Sequence, residues 1–355
     1  MLLAKSVVRP EAFVLAKITI YANALDLALA QLRVPVGTIG AFAEETRSGH
    51  SYWYRRYFDA NGIQKRVYIG AADSAVDRAP IETEQNIFDD WKQLAKMSKD
   101  LRALGFAYAD ANSAATLAAL HNAGIFAGGG QLVGSHAYGA LLNGLGCRES
   151  ANYLTEDIDL ARGKTIKLAG EAMGRWKRIL ADTGLRFNAV PDINRKNPTT
   201  TYKVVGQRLR VDLLTPSKQA GDEILPIPEL DTHAAALPYL EYLVAGESVM
   251  SVVLAKDKIL PVRVPTPERF CVHKLLLSTL RSAGFATKAA KDRKQAGSLV
   301  CALVDADRSL ELIAAIKDLP KAIRKKTGDA ARRLVEQHLL IDYPEGAALL
   351  LATFA

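Results

Sequence analysis

Residues 132–136 read Leu-Val-Gly-Ser-His. The apolar run that ends at Val133 predicts a strand, and the residues from His136 onward predict a helix. Glycine in the intervening turn lets a ligand approach the backbone because it has no Cβ. The first turn of a helix also offers free N–H groups to an anion. We therefore predict a phosphate-binding turn at Gly134 and Ser135, with a purely structural turn as the ordinary alternative.

Two acidic residues follow on the next predicted strand. Residues 156–160 read Glu-Asp-Ile-Asp-Leu. Strand alternation puts Asp157 and Asp159 on one face and turns Ile158 and Leu160 into the core. Adjacent carboxylates repel unless a cation lies between them, and oxygen ligands of this kind suit Mg²⁺. The pattern predicts a metal site, whereas a solvated strand end is the ordinary alternative.

A third acidic residue stands in a later predicted strand, where residues 209–214 read Leu-Arg-Val-Asp-Leu-Leu. A carboxylate among branched apolar residues is costly to bury unless it is paired or bound to a metal. Asp212 is therefore either the partner of Arg210, which shares its face of the strand, or a carboxylate of an active site.

The order of these three motifs resembles that of the DNA polymerase β-like nucleotidyltransferase superfamily. Residues 128–139 and 155–160 are most similar to a bacterial branch known only as nucleotidyltransferase. The resemblance covers roughly residues 120–225. One departure is the gap of 21 residues between Ser135 and Asp157, which is longer than the superfamily's usual gap. A surface loop accommodates such an insertion at little cost.

The resemblance implies transfer of a nucleotide from an NTP, assisted by Mg²⁺ or Mn²⁺. Asp212 would accept a proton from the attacking oxygen. A looser similarity follows Pro267, where lysines stand on helices like those after the catalytic sheet of minimal nucleotidyltransferases. The implied catalytic residues and metal ligands are Asp157, Asp159 and Asp212. The predicted nucleotide-binding residues are Gly134, Ser135, His136 and Lys274.

The predicted fold is α/β (α+β), a polymerase β-like core with a mixed, largely antiparallel sheet. We predict a helix and β-hairpin unit at residues 1–115, the nucleotidyltransferase core at 116–264 and a helical domain at 265–355. Within these units we predict helices at 113–123, begun by Asn112 or Ser113, and at 165–183. We also predict a meander of strands at 242–245, 249–254 and 259–264.

The predicted hairpin pairs residues 51–58 with 64–70 around Asn61-Gly62, a strong turn signal. Its aromatic and basic residues are suited to stacking on single-stranded nucleic acid and to contacting its phosphates. The ordinary alternative, which we favour, is a hairpin whose alternate aromatic residues pack on the core while its arginines face water.

The composition indicates a globular protein and argues against a disulfide-rich or membrane-spanning one. The chain has 355 residues, 49% of them hydrophobic and 24% charged, which is typical of a globular protein with several units. Its three cysteines have no spacing that suggests zinc binding or a disulfide framework, so a cytoplasmic location is expected. The apolar segment 13–32 contains Lys17 and Asp26, which argues against a membrane span.

The acceptor is the open question. The net charge of +8 favours a polyanion, so RNA, such as a tRNA end, is the leading acceptor. A protein or a small molecule, such as an antibiotic hydroxyl, is the second hypothesis. A non-catalytic, antitoxin-like interaction module is the third, and the three intact aspartates argue against it. Toxin-like members of the superfamily add a cognate regulatory protein as a partner to consider.

Overall fold

A small antiparallel sheet and two helices form the N-terminal part of the molecule. The structure is a computed structural model that describes residues 9–149, 156–163, 165–168, 176–217, 223–280, 286–337 and 339–355. The predicted hairpin is confirmed, and a preceding strand that was not predicted completes the sheet. The elements are β1 (Glu11–Ala12), α1 (Leu15–Leu29), β2 (Ala41–Arg47), β3 (His50–Phe58), β4 (Gln64–Ala71) and α2 (Arg78–Ala103).

The next elements contain the turn at Gly134 and Ser135. They are α3 (Ala111–Asn122), β5 (Gly130–Val133), α4 (Gly134–Gly144), β6 (Cys147–Arg148), β7 (Asp157–Arg162) and α5 (Trp176–Asp182). The predicted N-cap of α3 is wrong, because the Asp110 side chain accepts the backbone hydrogen bonds from Asn112 and Ser113. The helix predicted at 165–183 is confirmed only for α5. Residues 165–168 are not helical, and 164 and 169–175 lie outside the described residues.

The central strands follow, interrupted by one short helix. They are β8 (Phe187–Val190), β9 (Thr201–Val204), β10 (Arg210–Ser217), β11 (Glu223–Ile227), β12 (Thr232–Pro238), α6 (Leu240–Val244), β13 (Ser248–Leu254) and β14 (Ile259–Pro265). The strand predicted at 242–245 is wrong, because these residues belong to α6 and the position after it. Tyr239 begins this helix with φ of 66° and redirects the chain away from β12. The predicted meander is therefore only the antiparallel β13–β14 pair.

A seven-stranded mixed sheet brings together the glycine turn and the two acidic motifs. Its order is β11-β12-β10-β7-β5, and β9, which also pairs with β8, joins the first half of β10. Strand β10 runs parallel to β7 and β12, whereas the other pairings are antiparallel. In the β7–β10 register, Asp159 lies opposite Asp212 and Asp157 lies opposite Arg210. Val133, the last residue of β5, pairs with Asp159. The predicted α/β fold with a mixed sheet is confirmed.

The C-terminal part is helical, as predicted. It consists of α7 (Pro267–Leu280), α8 (Ala286–Asp305), α9 (Ser309–Lys317), α10 (Lys321–Glu336) and α11 (Pro344–Phe354). Helix α10 is amphipathic: Ile323 and Leu334 are buried, whereas Lys325 and Lys326 are exposed. Helix α7 is buried along most of its length, since it packs against α6, α8, α9 and α10.

Two apolar clusters join these parts. The larger one extends from Val34 to Leu350, and the smaller one packs Tyr21 and Phe106 against residues of β13 and β14. The division into units at 1–115, 116–264 and 265–355 stays a prediction. In the described part of the chain, no helix has the length and apolar character needed to cross a membrane.

A buried lysine attaches the N-terminal part to this core. The Lys258 ammonium donates to the carbonyl oxygens of Pro35, Val36 and Gly37 at 3.0, 3.4 and 2.5 Å. These carbonyls lie on the segment between α1 and β2, so Lys258 fixes the chain where it enters the small sheet.

Candidate active site

The turn between β5 and α4 requires glycine for two reasons. Gly134 has φ of +71°, a left-handed conformation that favours glycine. A Cβ at this position would also overlap with the Asp159 carboxylate. The absence of a side chain therefore lets the start of α4 lie directly against the carboxylate of β7.

The three predicted aspartates line one cavity of about 340 Å³ together with Gly134 and Ser135. Asp157 and Asp159 reach it from β7, and Asp212 reaches it from the neighbouring strand β10. The structure thus brings together the three motifs, although they are separated by more than 20 residues at each step in the sequence.

The carboxylates of this cavity perturb one another. Burial and the neighbouring Asp212 carboxylate raise the pKa of Asp159 to about 6. Asp212 is oriented by Thr201 of β9, whose hydroxyl donates to its Oδ1 at 2.6 Å. The site therefore concentrates negative charge at the point where β7 and β10 are in register.

Arg210 balances part of this charge. Its Nε lies 3.0 Å from Asp157 Oδ1 and 3.1 Å from Asp212 Oδ2. The salt bridge considered as the ordinary explanation of Asp212 is thus present. Among the described residues, no three Asp, Glu, His or Cys side chains are grouped closely enough to surround a metal ion. The guanidinium holds Asp157 and Asp212 in their present positions.

Basic residues of α7 and α8 form the opposite wall. Lys274, predicted from the sequence, lines the cavity and forms a buried ion pair with Asp292 at 2.9 Å. Lys291 donates to the Ser135 hydroxyl at 2.9 Å, and Lys288 also lines the cavity. A ligand in the cavity would therefore contact carboxylates on one side and ammonium groups on the other.

His136 does not line this cavity. Its ring is buried beside Ala107 and Asn143 in a small neighbouring pocket, and burial lowers its pKa to about 4. The ring is therefore neutral at physiological pH. The assignment of His136 to nucleotide binding stays a prediction.

Residues 111–320 match a family model described as nucleotidyltransferase. The chain belongs to this nucleotidyltransferase family. The matched range includes every residue that lines the cavity. The predicted membership of the nucleotidyltransferase superfamily is confirmed. No curated protein and no solved structure matches the chain.

Two lysines of this nucleotidyltransferase's cavity were not predicted as site residues. Lys288 and Lys291 lie three positions apart, so they share one side of α8. That spacing was the available signal, but it is equally typical of a solvated helix face. Only the packing of α8 against the start of α4 distinguishes the two interpretations.

Proposed function

We propose that this nucleotidyltransferase moves a nucleoside monophosphate from an NTP to an acceptor hydroxyl and releases pyrophosphate. The observation that carries the proposal is the two-sided cavity, in which the carboxylates of β7 and β10 face the lysines of α7 and α8. A triphosphate needs positive charge around it, and an attacking hydroxyl needs a group that accepts its proton. The two walls supply these two requirements.

The donor chemistry of the three aspartates suits a divalent cation, Mg²⁺ or Mn²⁺. The raised pKa of Asp159 reflects burial and repulsion from Asp212, and both effects are offset by a cation beside the two carboxylates. The metal ligands would be Asp157, Asp159 and Asp212, with the Arg210 guanidinium moved aside. When bound, such an ion neutralises the triphosphate and the departing pyrophosphate.

The chain's own residues would bind and orient the reactants. The Gly134 turn and the first N–H groups of α4 would bind phosphate oxygens, since a helix N-terminus favours anions. Lys274 and Lys291 would contact the same phosphates from the other side. Asp212, oriented by Thr201, would accept the proton of the attacking hydroxyl. Catalysis would then come mainly from positioning and electrostatic stabilisation.

RNA, including a tRNA end, is the acceptor that we favour. The net charge of +8 supports a polyanionic acceptor. The small N-terminal sheet supports it as well, because aromatic and basic side chains lie together on its surface.

The experiment is incubation of the protein with each α-³²P-labelled NTP, Mg²⁺ or Mn²⁺, and total RNA or cell lysate. We expect label in an RNA band, and a tRNA band in particular would identify the acceptor. Asp159→Asn should reduce labelling by at least about a thousandfold, since it removes a charge that the reaction depends on. The matched control is Asp89→Asn, an exposed acid on α2, which should label like the unaltered protein.

Unchanged labelling by Asp159→Asn would contradict the site assignment. Label in a protein band would retain nucleotidyl transfer but replace the acceptor. No label with any NTP, together with no NTP binding, would favour the non-catalytic module.

A small-molecule acceptor is the second candidate, and one observation favours it. A cavity of about 650 Å³ adjoins the first at Pro238. Tyr239, Glu241 and Arg269 line it, and such a mixture of aromatic and charged groups suits a polar organic molecule. Label in a low-molecular-weight product would support this candidate.

A further inference from the structure

The two faces of the β2–β4 sheet differ in what they contact. On the inner face Phe42 stacks on Trp53, with ring centroids 4.8 Å apart, and also contacts Phe88 of α2 at 5.9 Å. The ordinary interpretation of the hairpin is therefore correct for the aromatic residues of this face. It is wrong for Arg55 of the same face, whose guanidinium packs 4.6 Å from the centroid of the Trp91 ring instead of facing water. Residues of β3 alternate between the faces, so the tyrosines beside Trp53 point to the opposite side.

The outer face carries a group of tyrosine rings. The ring centroid of Tyr68 on β4 lies 5.7 Å from that of Tyr54 and 6.2 Å from that of Tyr52, both on β3. The Tyr68 side chain is 52% exposed. An exposed aromatic group of this size on a sheet offers flat surfaces to another flat ring system.

Arginines lie among these rings. The Arg66 guanidinium is 4.4 Å from the centroid of the Tyr54 ring. Arg47, Arg56 and Arg66 all lie within 3.5 Å of the single carboxylate of Glu45. Three positive charges therefore share one negative charge, and the face keeps an excess of positive charge.

We propose that this outer face binds single-stranded RNA. Unpaired bases would stack on Tyr52, Tyr54 and Tyr68, while Arg56 and Arg66 would contact the phosphates between them. A double helix keeps its bases stacked on each other, so it cannot use the rings. The phenolic hydroxyls and Glu45 also offer hydrogen-bond partners for the ribose 2′-hydroxyl, which DNA lacks. The binding surface is separate from nucleotidyl transfer, and only its role in delivering an acceptor rests on the proposed function.

Contacts connect this face with the catalytic sheet on the Asp212 side. In the β3–β4 turn, the Asn61 side chain donates to the carbonyl of Gly184, just before β8. Strand β8 pairs with β9, which carries Thr201, the hydrogen-bond partner of Asp212. Arg186 and Lys203, at this β8–β9 hairpin, are exposed. An RNA strand on the sheet would thus find further positive charge towards the proposed site of proton acceptance.

The test uses fluorescence anisotropy with a 5′-labelled 20-nucleotide oligouridylate. The protein is the full chain carrying Asp159→Asn, so that turnover does not consume the probe. Replacing Tyr54 and Tyr68 together with serine should weaken binding at least tenfold, since each stacked base contributes substantially to affinity. Replacing both with phenylalanine is the matched control, because it keeps the rings, and binding should stay within about threefold.

A second pair of variants tests the charges. Arg66→Gln should weaken binding and make it less dependent on salt concentration. Arg332→Gln is the control: Arg332 is also an exposed arginine paired with an acid, and its removal should change neither. Circular dichroism melting confirms that each variant is folded.

Three results would overturn the proposal: the serine variant binds like its parent, duplex RNA binds as well as the single strand, or oligothymidylate DNA binds equally. If RNA binds as expected but no NTP supports labelling in the unaltered protein, the proposed transfer fails while the surface stands. If labelling occurs but RNA does not bind to this face, the proposed RNA-binding surface fails while the proposed nucleotidyl transfer stands.

Discussion

Gly134 affects both the backbone conformation and the geometry of the candidate active site. Gly134→Ala should lower the free energy of unfolding by about 1–3 kcal/mol through its left-handed φ. It should also reduce NTP turnover more than tenfold, because the new methyl group displaces the Asp159 carboxylate. Thermal unfolding and labelling assays measure the two effects.

Gly62→Ala is the matched control for this prediction. Gly62 has φ of +76°, but a Cβ there would meet nothing within 4 Å. Its replacement should reproduce the loss of stability without the loss of turnover. Equal turnover of Gly134→Ala and the unaltered protein would show that Asp159 needs no particular position.

Asp159 makes the stability of the metal-free protein depend on pH. Its pKa in the folded protein, about 6, exceeds the ordinary value of 3.8, so the folded state holds the proton more tightly than the unfolded state. Its stabilising contribution is complete below about pH 4 and is lost as the pH rises through 6. Asp159→Asn should therefore be more stable than the unaltered protein at pH 7, by roughly 3 kcal/mol.

The measurement is chemical unfolding of both proteins in the presence of a chelator, from pH 3.5 to pH 8. The difference in stability should shrink below pH 6 and vanish near pH 4. A constant difference across this range would contradict the raised pKa. Mg²⁺ at pH 7 should stabilise the unaltered protein and leave Asp159→Asn unchanged, if Asp159 is a metal ligand.

At the residue scale, the sequence predicted which face of a strand a side chain occupies better than it predicted the pKa or the ion pairs of that side chain. Spacing alone predicted that Asp157 and Asp159 share a face, and the structure agrees. The raised pKa of Asp159 was not predictable, because it depends on the register that sets Asp212 opposite it. The contacts of Arg210 depend on strand register in the same way. The sequence suggested a salt bridge to Asp212, but the guanidinium also contacts Asp157 on the neighbouring strand.

Among the elements, α8 connects the helical part to the predicted phosphate site through Lys291. Lys291→Met should raise the KM for NTP about tenfold, the effect of roughly one charge-assisted contact. Burial lowers the pKa of the Lys291 ammonium, yet the side chain remains partly exposed. The free energy of unfolding should therefore change little in this variant. Lys294→Met, one turn further along α8 and outside the cavity, is the control and should leave the KM unchanged. Equal KM values for both variants would remove α8 from the site.

The errors of sequence-based prediction at this scale have physical causes. Residues 242–245 are a short apolar run, and such a run is compatible with a buried strand or a buried helix. Strand β2 was missed because its residues, Ala-Phe-Ala-Glu-Glu-Thr-Arg, lack the run of aromatic residues found in β3. Its place is decided by pairing with β3 rather than by its own propensity.

Across the whole molecule, Lys258 links parts that are distant in sequence. Lys258→Met would leave the carbonyls of residues 35–37 without their donor, at a cost of roughly 1–3 kcal/mol. Hydrogen exchange should then become faster in residues 35–47 than in β7 or β10. Lys256→Met, an exposed lysine two positions earlier, is the control and should leave exchange unchanged. Equally faster exchange throughout the protein would show global destabilisation instead of local release.

The same contact has a consequence for biosynthesis. Residues 35–37 leave the ribosome more than 220 residues before Lys258 does. The apolar cluster that buries one face of helix α1 also includes residues of β13 and β14, which are synthesised much later. A nascent chain that stops before residue 248 therefore exposes the apolar face of its first helix, and such surfaces promote aggregation. Truncated translation products of this protein should consequently be recognised by chaperones through the apolar face of α1, whereas in the folded protein Tyr21, Ala24 and Ala28 of that face are buried.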